Sequence, residues 1–300
     1  MTDSRPSPVP PGGLSSSGVA LLVATAVGWG INFPVMKHLL TEWPPLSARG
    51  LSAAAGALAL ALVALGSRQR LSVPRHLWLR LLLVSILTIT SWVACMGLAL
   101  LWLNAGEAAI LSVSLPLWAA LLAWPILGER LTILRLVWLA VAMSGIAVLI
   151  GGIGIDASLA KWPGIAFVFL GTVCVALGTV LTKHFPLAMP PVSLAAWQLW
   201  LGSVPVAIVG LALERPDVAA LSGVGWASLV YMTLIQFCLC YLCWFAALAR
   251  LPAATASIGS LLVPVVGVLA SALMLHEPLG LREIGALVIT LGGVAMALRS

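Results

Sequence analysis

Trp29 and Asn32 stand three residues apart, a spacing that lays an indole and a carboxamide on one face of an α-helix. Thr90, Ser91 and Trp92 again set hydroxyls beside an indole. Ser112 and Ser114 precede Pro116, Ser257 and Ser260 precede Pro264, and Thr179 adds another hydroxyl. These groups donate and accept hydrogen bonds and present π surfaces, but no base lies beside them to make a nucleophile. Their chemistry is reversible binding of a small solute that is partly polar and partly aromatic. Each lies in an apolar run, where a polar side chain is costly unless it faces protein or water. A single Ser or Thr there often bonds back to its own helix, so the clusters around matched prolines carry the argument. Pro116 and Pro264 also free carbonyls in mid-helix, which suits a hinge or a wetted wall.

The elements that position these residues are membrane helices. Hydrophobic residues make up 62% of the 300, charged residues only 8%, and the mean hydropathy is +1.14, against roughly 25% charged for a soluble domain. The net charge of +6 comes from only three Lys plus scattered Arg, with no basic stripe for a nucleic acid. The five Cys all sit in apolar runs, so no disulfide framework is expected. His38, His76, His184 and His276 fall near the ends of the runs, and no phosphate-binding GxxxxGK[ST] loop occurs. A membrane-embedded enzyme, which needs a catalytic constellation inside the spans, is therefore the distant alternative. No cofactor and no metal are expected.

Turn and charge punctuation predicts a disordered tail over 1–17 and ten spans: 18–39, 46–66, 77–101, 105–126, 132–151, 162–183, 192–213, 224–248, 253–274 and 281–298. Placing both termini in the cytoplasm puts ten Lys and Arg inside against five outside, the expected bias. The residues 104–150 align without a gap on 252–298, with 12 identities that include Ser112/Ser260, Pro116/Pro264, Glu129/Glu277 and Gly145/Gly293. Lys37 likewise matches Lys183, and Pro44-Pro45 matches Pro190-Pro191. The chain is thus two copies of one unit, 18–151 and 162–300. Five spans per unit, an odd number, invert the second copy in the bilayer, an arrangement typical of transporters with a midplane site between the repeats.

WGINFPVMK (Trp29 to Lys37), Pro116 followed by LGERL, and Pro264 followed by LHEPL resemble the two EamA-type repeats of the drug/metabolite transporter superfamily. The resemblance covers nearly everything after residue 18. It implies an all-α integral membrane protein in which spans 1–4 and 6–9 surround a central cavity, with spans 5 and 10 peripheral. Length and sequence are most similar to YddG-type exporters of aromatic amino acids. This implies a multi-pass protein of the bacterial cytoplasmic membrane that exports small metabolites, with neutral or aromatic amino acids as cargo. A monomer suffices for the cavity, and the lipid bilayer is the other partner.

From the residues themselves, no acid or base occupies the middle of a span, which favours facilitated diffusion over proton coupling. The alternative is proton-coupled efflux of lipophilic cations, for which Glu107 is the candidate acid and Arg49 its expected partner. Glu129 and Glu277 are expected to cap the following helix and pair with Arg130, Arg135 or Arg282. Lys37 and Lys183 suit helix C-termini, with a gating role as the functional reading. Trp43, Trp78, Trp102, Trp162 and Trp226 read as an interfacial belt.

Overall fold

Proline pairs and polar caps start the helices where the sequence places breaks. In the computed structural model, which describes residues 15–129, 132–151, 155–252, 255–256 and 259–299, the Ser15 hydroxyl accepts from Gly18 N to open α1, Ser16–Leu39. Pro44 and Pro190 immediately precede α2, Pro45–Gly66, and α7, Pro191–Glu214, where a missing N–H costs nothing. Between them run α3 (Arg75–Ala99), α4 (Ala105–Leu127), α5 (Ile133–Gly151) and α6 (Ile155–His184). The chain continues through α8 (Gly223–Leu248), α9 (Leu262–Leu275) and α10 (Leu281–Arg299). No strand occurs among the described residues. All of these helices except α9 are long and apolar enough to cross a bilayer.

Helix contacts obey a two-fold exchange of the repeats. α2 packs along α7, α5 along α10 and α4 against α9, while α1 touches α8 and α9 as α6 touches α3 and α4. Swapping each helix for its mate five places on reproduces the same pairs. α5 and α10 lie at the side of this bundle and pack mainly on each other. The Gly145/Gly293 identity has its reason here: a Cβ would stand 2.7 Å from Thr290 N at the first and 2.5 Å from Ala142 N at the second. Backbones that close leave room only for hydrogen, the usual device for packing helices in lipid. The outside carries leucines such as Leu79, Leu273 and Leu281, which lipid rather than water would cover.

Three features depart from uniform helices. α4 breaks at Val113 and Ser114, whose amides reach back only three residues, to Ile110 and Leu111, because Pro116 supplies no donor to Ser112. Its mate behaves alike: Val263 N bonds Ser260 O just before Pro264. α3 and α8 each contain a π-helical stretch, Ile86–Thr90 and Tyr231–Leu239, at matching places in the repeats; such widened turns gather at functional sites. The structure also corrects one boundary. The polar stretch ahead of 162 is helical from Ile155 onward, so α6 starts about two turns before the expected span.

Candidate solute-binding site

The candidate site lies where α1 faces α8, one helix from each repeat. Trp29 donates Nε1–H to the Gln236 carbonyl at 3.3 Å, and its ring lies 5.7 Å from both Tyr241 and Trp244. The π stretch explains why that carbonyl is available. Cys240 N bonds Ile235 O five residues back, and a return to four-residue bonding passes over a carbonyl that another donor can use. Tyr231 closes the same junction by donating its hydroxyl to Gly28 O at 2.8 Å. Tyr241 and Phe245 extend the aromatic wall, 6.4 Å apart.

Three buried polar atoms at this junction lack a partner among the described residues: Asn32 Oδ1, Gln236 Oε1 and Arg49 Nη2. Asn32 and Gln236 are each 5% exposed and Arg49 is fully enclosed. An unmet buried donor or acceptor costs about 1–3 kcal/mol, and Asn32, Gln236 and Arg49 each carry one. Arg49 lies five residues into α2 but extends inward: Nε donates to Val93 O at 3.0 Å, Nη1 contacts Met36 Sδ at 2.6 Å, and the guanidinium stands 5.8 Å from the Phe237 ring centre. Met36 is one turn from Asn32 on the same face of α1, and Phe237 follows Gln236. The expected Arg49–Glu107 pair is absent. Glu107 bonds Lys161 through both oxygens, at 2.7 and 2.9 Å, and closes a capping box with Asn104.

The remaining candidates are placed elsewhere. Thr90 donates to Gly202 O at 2.7 Å, joining α3 to α7. Ser91 bonds back to Leu87 O, and Trp92 packs half-buried on the main core. Ser112 bonds Ala109 O, while buried Ser114 shares a 3.2 Å contact with Thr172 across the α4–α6 seam. Thr179 is exposed and bonds Val175 O. Ser260 is half-buried at the turn before Pro264, and Ser257 lies outside the described residues. The structure thus gathers Trp29 and Asn32 with three residues that spacing alone missed: Arg49, Gln236 and Tyr241. A signal for Gln236 existed, since at the 148-residue offset its repeat mate is Thr88, in the polar run that also holds Thr90 and Ser91.

The EamA-like transporter family matches residues 16–151 and again residues 162–299. The chain belongs to the EamA-like transporter family. It is 27% identical to the uncharacterised transporter YvbV of Bacillus subtilis, over 94% of this chain and 92% of that protein. A probable terminal-alkyne amino-acid exporter of Streptantibioticus cattleyicolor is 30% identical over 87% and 86%. A probable amino-acid metabolite efflux pump of Salmonella typhimurium is 30% identical over 91% and 92%. A crystal structure of a protein aligns with a TM-score of 0.68 over 94% of this chain and 97% of that one, at 17% identity, a likeness of fold alone. The protein is a membrane transporter, an all-α bundle of two inverted repeats.

In this EamA-like transporter the charged groups gather at the helix ends, and the two ends differ. At the end that carries the α1–α2 turn, Glu277 accepts from Ala105 N and Gly106 N at 2.7 and 2.9 Å, so it caps α4 of the other repeat rather than the helix that follows it. Glu214 caps α2 through Leu46 N and Ser47 N, and Glu42 holds Ser222 at the start of α8. Each carboxylate meets a helix N-terminus, where the dipole favours it. Lys37 donates to Leu100 O and Leu103 O beyond the end of α3. The cleft between Glu107, Glu277 and Arg282 measures only about 10 Å³, room for no more than one water. Trp43 is buried here and donates to Asp217 O at 2.7 Å, so it is not part of an interfacial belt. At the opposite end Glu129 pairs with exposed Lys183, not with Arg135 as expected; Arg130 lies outside the described residues.

Proposed function

We propose that this transporter exports neutral amino acids with large side chains from the bacterial cytoplasm, by alternating access and down their gradient. One observation carries the reading: an aromatic wall of Trp29, Tyr241 and Trp244 adjoins buried carboxamide oxygens of Asn32 and Gln236 that have no partner among the described residues. An aromatic or long side chain fits the first and an ammonium group the second. Two relatives at 30% identity are named for amino-acid or amino-acid-metabolite export, which supports the same class of cargo. The bias of Lys and Arg supports cytoplasmic termini, and the end that carries the α1–α2 turn then faces outward. The broken turns at Pro116 and Pro264 serve as hinges in this reading, while Lys37 and Lys183, at opposite ends, hold the gates. Efflux of lipophilic cations has less support, because Glu107 already holds Lys161 and its own helix start.

The test is uptake of labelled amino acids into proteoliposomes, with and without an imposed pH gradient. Saturable entry of large neutral amino acids, unchanged by the gradient and weakened about tenfold or more in Trp29→Ala, is the expected result. Cation movement driven by the gradient and lost in Glu107→Gln would replace this reading with the efflux alternative.

A further inference from the structure

Arg49 is a wholly enclosed cation with no carboxylate against it among the described residues. Its Nε and Nη1 have partners, Val93 O and the weak acceptor Met36 Sδ, while Nη2 has none. The acids that could have served are engaged elsewhere: Glu107 with Lys161, Glu277 and Glu214 with helix starts. Nor does the scaffold demand the charge, since its repeat mate is Ala195, buried in the same α2–α7 pairing. A buried guanidinium left in this state is stable only at a cost that a bound anion removes.

We propose that Arg49 Nη2 anchors the carboxylate of the transported solute. The inference rests on the amino-acid reading above and adds the group by which the cargo is selected. A guanidinium presents a planar fork that matches a carboxylate. Asn32, one turn from Met36, and Gln236, on the π stretch that also carries Phe237, supply acceptor oxygens for an ammonium on the same solute. A phosphate dianion would call for a second cation; the neighbouring Lys37 ammonium is held by the Leu100 and Leu103 carbonyls instead. The ligand class is therefore a monocarboxylate, zwitterionic when it also meets the carboxamides.

The experiment uses full-length protein in proteoliposomes and four labelled probes of one shape: phenylalanine, phenylalaninamide, 3-phenylpropionate and 2-phenylethylamine. Wild type is expected to carry phenylalanine at least about tenfold faster than its amide, and Arg49→Gln to erase that preference. Equal rates for acid and amide in the wild type, or a preference unchanged in Arg49→Gln, overturn the anchor. Failure of the amino-acid reading alone has another signature: 3-phenylpropionate moves, phenylalanine does not, and Arg49→Gln stops the former. Arg49→Met separates binding from folding. A melting temperature at or above wild type with lost acid preference supports the anchor; a lowered melting temperature with the preference intact assigns Arg49 to structure and overturns it.

Discussion

Asn32 and Gln236 are placed where a protein concerned only with stability would put leucine. Replacing an unmet polar group by an apolar one of similar shape is neutral or stabilising. Asn32→Leu should therefore leave the melting temperature unchanged or higher while cutting transport about tenfold or more; lower stability with normal transport would make the residue a packing element. Trp29 and Asn32 were legible because helical spacing alone aligns them. Arg49 was not. Its position near the start of α2 suggests a shallow residue that snorkels toward water, yet the side chain turns inward to Val93 and Phe237, a direction that only the packing of α1, α2, α3 and α8 decides. Glu277 misled for a similar reason: its partner, the start of α4, lies 171 or more residues away in sequence.

At the scale of elements, the break in α4 was readable from Pro116, and the tight α5–α10 pairing explains why Gly145 and Gly293 repeat. Gly293→Leu should lower stability by at least about 1–3 kcal/mol, seen as a fall in the detergent melting temperature, because its side chain would meet Ala142 N at 2.5 Å from Cβ. Pro116→Ala restores a donor for Ser112 and a continuous helix. The expected outcome is folded protein in normal amount with slowed transport; equal losses of both would reduce the proline to a packing role. The π stretches were not readable, since nothing in the pattern of apolar residues distinguishes five-residue from four-residue bonding across so short a segment. The early start of α6 is not legible in the sequence because Asp156 and Lys161 read as loop residues, while the helix runs from Ile155.

Across the whole molecule, one end is tied by carboxylates that cross between elements and the other by an exposed ion pair. Glu277→Gln removes charge from the start of α4 while keeping the side chain's shape. It should loosen that end of the bundle, read as faster labelling of a cysteine placed at Gly106 in an otherwise cysteine-free protein; unchanged labelling would show that the cap does not hold the start of α4 in place. Glu42 adds a pH dependence of known sign. The Ser222 hydroxyl, then the Ser222 amide, lower its pKa below the ordinary carboxylate value, so its tie to α8 contributes above that value and is lost as pH falls through the lowered one. Melting should therefore weaken as pH falls below the ordinary carboxylate range, and less so in Glu42→Gln. The overall two-fold plan was legible from the repeat itself, but the residues at the site do not share it: Trp29, Asn32 and Arg49 correspond to Val175, Gly178 and Ala195. An assembly of two first halves would bury a pair of like-charged guanidinium groups, and one of two second halves would bury none. Fusion into one chain lets a nearly symmetric scaffold hold a single ion, a stoichiometry that neither half could reach by dimerising with itself.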